Sequence, residues 1–538
     1  MKKLFIIPIL FITFIAKAQV EVDAGISTMA SFSSFELKPL WMHANQWGVI
    51  DPLGKADAMI LGDVEMSLLR MKNFTLDAGV AGVVRNPANA SFLHELYLSG
   101  KISFIDFVIG KKAYAPHATY DHISSGSYLL GSNARPVPKI SIGIFDFIQV
   151  PYTFGWLEVK GYLSQGVLNE EPQPRITGNV LHHEKFAYVR IGKYHIKPYG
   201  GLTHSALFGG ERYDGSKIPV DFWATLWAKG SEKIGGGELT NAAGGHEGFW
   251  DFGIDADFDF GSMHLGMRKP FTDRNGYVLK HAFRRNQDYN FIWHFKLNNS
   301  RFVKQMLVEF VKTDHQSGEG IPDPLYPVGF TKDPAKVGQL IFPWLVSDWE
   351  KYMDDNFTGI PRPEGGWSAR SFEDYWQTHF NQGHIFGGRA DNLNNGMYYR
   401  GYSYHGQSMG TPLFHTYSMV RAYAPNWSPN NHGIFINNRV RALHLGLMGD
   451  VTTRLDYIFK LTMTANYGHW AEKYRSRYSW ELTPDYFFEE SKYQHHSYIK
   501  VNYRDWLLEK LNLNGALGYD FGDLYNSFGV NIGLDYRF

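Results

Sequence analysis

The strongest constraint on the fold lies at the C-terminus, in Phe528-Gly-Val-Asn-Ile-Gly-Leu-Asp-Tyr-Arg-Phe538. Phe528, Val530, Ile532, Leu534, Tyr536 and Phe538 alternate with Gly529, Asn531, Gly533, Asp535 and Arg537. A strand points successive side chains to opposite faces, so this period puts every apolar group on one side. At about 3.3 Å per residue and a tilt near 40°, such a strand rises roughly 27 Å, the height of the apolar band of a membrane barrel. Strands of soluble sheets more often stop at about five or six residues. The alternation predicts a lipid-facing strand.

Upstream segments repeat it. Phe252, Ile254, Ala256, Phe258 and Phe260 alternate with Asp251, Gly253, Asp255, Asp257 and Asp259. Residues 455–467 and 511–521 read the same way, as do shorter stretches around 64–83, 102–110, 186–207, 291–297 and 439–448. Closing such strands into an antiparallel barrel leaves no unpaired edge in lipid. Composition agrees. The mean hydropathy is −0.30, yet the chain carries 39 Phe, 32 Tyr, 15 Trp and 55 Gly. A barrel needs aromatics for its lipid face and interfacial girdles, while polar or glycine positions line its lumen. The formal net charge of zero speaks against a nucleic-acid partner, which needs a basic footprint.

Residues 1–18 read as a secretory signal peptide. Lys2 and Lys3 precede an apolar run, Leu4 to Ile15, and Ala16-Lys17-Ala18 supplies the small residues a signal peptidase reads. Twelve helical residues rise only about 18 Å, too short to span a bilayer. Residues 19–538 are then expected to form a single outer-membrane barrel domain. Its partners would be outer-membrane lipid and, during biogenesis, the barrel assembly machinery, for which a terminal aromatic is a signal. The chain has no cysteine, so no lipid-modified cysteine and no disulfide framework is available.

Between about 314 and 410 the pattern breaks. Pro322, Pro324, Pro327, Pro334, Pro343, Pro361 and Pro363 exclude central strands there, which predicts a long extracellular loop region. The stretch from Tyr114 to Lys139 also lacks strand character and is expected to enter or cap the lumen.

Five segments resemble the Wzi family of capsule assembly proteins: LWMHANQWGVI (40–50), SGSYLLGSNARPVPKISIG (125–143), PYTFGWLEVKGYLSQG (151–166), YGGLTHSALFGG (199–210) and NNRVRALHLGLMGDV (437–451). The resemblance implies an all-β, transmembrane antiparallel barrel of about 18 strands. Its lumen would be occluded by inward loops with a small helical element. The implied role is non-enzymatic, the binding or anchoring of surface (capsular) polysaccharide. The alternatives are an outer-membrane pore or transporter for a small solute and an outer-membrane hydrolase.

Catalytic motifs are weak. Gly401-Tyr-Ser403-Tyr-His405 lacks the final glycine of a nucleophile elbow, and His183-Glu184 is not followed by the second histidine of a zinc helix. Asp255, Asp257 and Asp259 share a strand face, but a calcium site converges ligands from a tight loop; ordinary lumen lining paired to Arg or Lys is the expectation. No catalytic residue, metal ligand or cofactor is expected. The glycan-contact candidates are Trp344, Trp349, Tyr352, Trp367, Tyr375, Trp376, Arg389, Asp391 and Asn392, because sugar C–H faces stack on rings while hydroxyls need polar partners. Packing within a folded loop is the competing explanation for each aromatic. For Arg85, Arg135 and Lys139, barrel-lining ion pairs are expected over contacts to an acidic polymer.

Overall fold

The computed structural model describes residues 21–538, except 87–89, 117–119, 121, 175, 235–243, 273–275, 286, 322–323, 381–387, 390–391, 430–432 and 477. The expected signal peptide lies outside the described residues. Eighteen strands hydrogen-bond in chain order: β1 (Glu21–Ser33), β2 (Ala56–Met71), β3 (Phe74–Arg85), β4 (Phe92–Ile102), β5 (Ile105–Lys111), β6 (Lys139–Gln149), β7 (Leu157–Leu168), β8 (Val180–Ile191), β9 (Ile196–Phe208), β10 (Gly245–Phe258), β11 (Gly261–Thr272), β12 (Tyr289–Leu297), β13 (Gln305–Lys312), β14 (Val440–Asp450), β15 (Leu455–Asn466), β16 (Lys492–Tyr503), β17 (Leu511–Gly522) and β18 (Ser527–Arg537). β18 pairs antiparallel with β1, from Gly25 opposite Arg537 to Ser33 opposite Gly529, and this closes the barrel. The expectation of about 18 strands is met.

The facing of β18 follows the alternation in the sequence. Phe528 and Ile532 are about half exposed on the outside, whereas Gly529, Asn531 and Gly533 point inward and are buried. No helix among the described residues is long and apolar enough to cross a membrane; the apolar outer surface belongs to the strands.

The two ends of the barrel differ. At the end holding both termini, connections run from two residues (72–73) to seven (150–156). Exposed aromatics crowd this rim, including Phe104, Tyr152, Phe154, Trp156 and Tyr194. At the opposite end the connections include 34–55, 112–138, 209–244 and 467–491, and the longest, 313–439, joins β13 to β14. It extends beyond the proline-rich stretch because the segment up to Arg439 turns back into the lumen.

That lumen is filled. The short helix Leu40–His43, the segment 128–137, the segment 393–414 and Phe435 share one apolar core. Trp41, Met42, Leu129, Tyr402, Phe414 and Phe435 are each no more than 2% exposed. Apolar rings removed from both lipid and water contribute about 2 kcal/mol or more each, so the inward segments form a packed body rather than a loose loop. Polar groups lock it to the wall. Trp41 Nε1 donates to Thr462 Oγ1 (2.9 Å), Leu40 N to Asp520 Oδ2 (2.9 Å) and Ser125 N to Glu309 Oε2 (2.6 Å). A second cluster, around Met419, Val420, Tyr423, Trp427, Tyr486 and Tyr525, joins the helix Tyr417–Tyr423 to the loops 467–491 and 523–526. The expectation that 114–139 enters the lumen is met for its described residues, of which Ser125, Leu129 and Asn133 are buried there.

Candidate functional site

The aromatics of the 344–380 region form a small lobe above the barrel mouth. Two helices make it, Trp349–Asn356 and Ala369–His379. Asp348 caps the first by accepting from Lys351 N, and Ser368 with Ser371 forms a capping box on the second. Between them lies a core of Tyr326, Ile341, Met353, Phe357, Trp367, Phe372 and Trp376. Trp349 lies 4.8 Å from the Phe372 ring, and Tyr326 and Tyr352 share a hydroxyl hydrogen bond of 2.7 Å. Burial pushes the Tyr352 hydroxyl pKa up, aided by that bond.

Placed on this geometry, the nine sequence candidates separate. Trp367 and Trp376 are lobe core, less than a tenth exposed; Trp349, Tyr352 and Tyr375 are half-buried at its margin. Trp344 sits on the 3-10 turn Pro343–Leu345. Asp391 lies outside the described residues. Arg389 and Asn392 belong below the lobe, in the packing against the inward segments. The Arg389 guanidinium donates from Nε to Glu319 O (2.9 Å) and from Nη1 to Ser479 O (2.7 Å), and it covers the Tyr474 ring at 3.7 Å. Its pKa is lowered by burial. Asn392 Oδ1 accepts from Thr272 Oγ1 (2.8 Å), and its backbone carbonyl accepts from Asn438 Nδ2 (2.8 Å). These two side chains hold loops together.

The lobe does leave a concavity. A cleft of about 240 Å³ opens between Leu325, Tyr326 and Val337 on one side and Trp376, Phe380 and Trp480 on the other. Of these only Trp376 was singled out by the sequence. Trp480 comes from the β15–β16 connection, more than a hundred residues away, and no local pattern links it to the lobe.

The remaining sequence candidates lie on the wall or on the inward segments packed against it. Of the three aspartates, Asp255 has the expected lumen pairing, accepting from Arg190 Nη1 (2.9 Å) and lying 2.7 Å from His264 Nδ1, whereas Asp257 and Asp259 are exposed near the short connections and have no ion pair among the described residues. Lys139 pairs with Glu184 at 2.8 Å, Arg85 lies 3.9 Å from Asp57, and the Arg135 guanidinium covers Phe92 at 3.5 Å. Ser403 and Tyr404 lie in a buried hairpin paired with Gln407 and Ser408, where the Ser403 hydroxyl donates to Arg400 O. No group of three His, Cys, Asp or Glu able to hold a metal occurs among the described residues.

These features define the class: a closed 18-stranded barrel of the outer-membrane type with a packed lumen. No family model and no curated protein matches the chain. Among solved structures it is similar to the Escherichia coli capsule-assembly protein Wzi, described as a carbohydrate-binding β-barrel, at 10% identity and TM-score 0.49 over 95% of this chain and 84% of that one. It is also similar to Pseudomonas aeruginosa OccK5 (OpdH), at 7% identity and TM-score 0.44 over 96% and 97%. A third is Acinetobacter baumannii OccAB4, at 8% identity and TM-score 0.41 over 97% and 98%.

Proposed function

We propose that the chain is a plugged outer-membrane barrel that binds and anchors a surface polysaccharide, without chemistry of its own. The observation that carries this reading is the packed core inside the lumen. A diffusion pore needs a continuous water path, and here Trp41, Tyr128, Tyr402 and Phe414 occupy its place. The end with the longer connections then faces outward, as in barrels of this type, and carries the aromatic lobe and its cleft. Trp480, which is exposed, offers ring surface to sugar C–H faces, with the margin of Phe380 beside it, and the motif resemblance to a capsule-holding family supplies the ligand class.

Two measurements test it. Purified protein in a planar bilayer at neutral pH should show no steady conductance; a stable open channel would favour the solute-pore alternative. Cells carrying Trp480→Ala together with Phe380→Ala, both in the cleft, should insert the barrel normally yet shed polysaccharide into the medium. Unchanged retention would overturn the cleft assignment. Replacing Trp367 and Trp376 is unsuitable, because both hold the lobe together.

A further inference from the structure

The plug does not reach the other mouth of the barrel. Between it and the short-turn end lies a chamber of about 320 Å³, within the range of small-molecule sites, roughly 300–1,000 Å³. Its inner end is bounded by Tyr120, whose ring stacks on His294 at 4.0 Å. Its wall is built from the last turns of β6 to β12 before the short connections.

The charges in this chamber fall into two groups. The deeper set is satisfied by the protein. Asp251 accepts from Tyr199 Oη (2.9 Å) and Arg268 Nε (3.1 Å), and Asp255 holds Arg190 and His264. Such networks fix the shape of the wall. The outer set is different. Asp146, Lys160, Asp257 and Lys296 line the chamber, and among the described residues none has an ion pair within 4 Å or a side-chain hydrogen bond. Lys160 instead lies over the Phe147 and Tyr188 rings, at 5.0 and 4.7 Å. Asp257 and Lys296 flank Ser262 on three adjacent strands, in the register Asp257–Ser262–Lys296.

Two carboxylates and two ammonium groups of equal number suit neither a net anion nor a net cation, since each would meet its own sign. They suit a neutral molecule with many hydroxyls, to which carboxylates accept and ammonium groups donate. The apolar part of the wall includes Phe145, Phe147 and Met263, all partly exposed, and the Phe145 ring can meet a C–H face of a pyranose; Tyr188 and Tyr199 are buried behind them. We infer that the chamber is a second binding site, for a neutral sugar unit of one or two rings that enters from the short-turn end. In the orientation proposed above, that end faces the periplasm. The inference adds an inward-facing subsite to the polysaccharide reading and rests on it only for sidedness.

The test uses the full mature barrel in a detergent without a sugar headgroup. Maltose, lactose, cellobiose and chitobiose are each titrated to 20 mM by saturation-transfer NMR and calorimetry. At least one should bind with a millimolar or lower dissociation constant. Ser262→Trp, which fills the chamber from the middle of the Asp257–Lys296 row, should weaken it more than tenfold. Lys160→Gln, which removes no ion pair, should weaken it several-fold and serves if the tryptophan variant fails to fold. Trp480→Ala, in the outer cleft, should leave disaccharide binding unchanged, so failure here is distinct from failure of polymer retention. No binding by any of the four, binding that both chamber variants leave intact, or tighter binding of glutamate, arginine or phosphate would overturn the inference.

Discussion

Arg389 shows how much a single side chain does in the outer half of this molecule. Its backbone sits at φ 58°, in the left-handed region that non-glycine residues seldom adopt. Its guanidinium ties the carbonyls of Glu319 and Ser479 together and stacks on Tyr474 and Trp480. Hydrogen bonds to a charged group contribute about 1.5–3 kcal/mol each. Arg389→Ala should therefore free the loops 313–320 and 474–481 without unfolding the barrel, read as new protease cleavage there on intact cells. Arg389→Lys should rescue only in part, since a lysine lacks the planar fork. A variant as resistant as wild type would show that the network contributes little. The sequence marks Arg389 only as polar among aromatics; its partners lie 70 to 90 positions away, so its role is invisible without the fold. Gly201 is a second case. A Cβ there would lie 2.2 Å from the Tyr188 ring, which lies flat against the next strand. Gly201→Val should displace Tyr188 from Asp251 and lower the thermal midpoint of the refolded barrel, whereas Gly62→Val, where a Cβ meets nothing within 4 Å, should not.

At the scale of elements, the strands were legible from their own residues, whereas of the plug only the segment 114–139 stood out by its lack of strand pattern, the occlusion as a whole being implied by the family resemblance. Period-two alternation is a local property, and β10, β15, β17 and β18 each carry it within their own residues. The inward segments show no such period, because their core is assembled from pieces far apart in the chain. Trp41 meets Thr462 across 421 positions, and Ser125 meets Glu309 across 184. The lobe aromatics were visible as a concentration of rings, yet composition alone does not separate rings that pack from rings that face solvent. The facing assignment itself is testable. Ile532→Arg places a cation on the lipid face at a cost of about 2–4 kcal/mol near the midplane and should lower the yield of heat-modifiable barrel in outer membranes. Ser262→Gln, on the lumen face, should leave that yield unchanged. Equal yields would contradict the assignment of inside and outside.

For the whole molecule, the buried histidines of the plug predict that its packing weakens in acid. His43, on the inward helix, and His415, on the segment beside it, are buried, and burial pushes both imidazoles down to about 3. The groups facing them reinforce this: Lys38 and His415 act on His43, and His496, itself 2.7 Å from Asp520, acts on both. A histidine held neutral in the packed state but free to protonate near 6.5 when released stabilises packing fully above that pH. Its contribution is lost as pH falls from about 6.5 towards 3, at about 1.4 kcal/mol per pH unit per group. The barrel wall buries histidines too, among them His183, His204 and His444, but it is held besides by a closed ladder of backbone hydrogen bonds that the plug lacks. Acid should therefore loosen the plug before the barrel. In a planar bilayer, protein silent at pH 7.5 should show transient openings below about pH 5.5, reversible on return to neutral pH. In His43→Leu, which keeps an apolar side chain and removes one titrating group, the openings should begin at lower pH or become rarer. Openings with the same onset in His43→Leu and wild type would show that His43 is not the controlling group, and silence down to pH 4 would show that the plug is held by more than its buried histidines oppose.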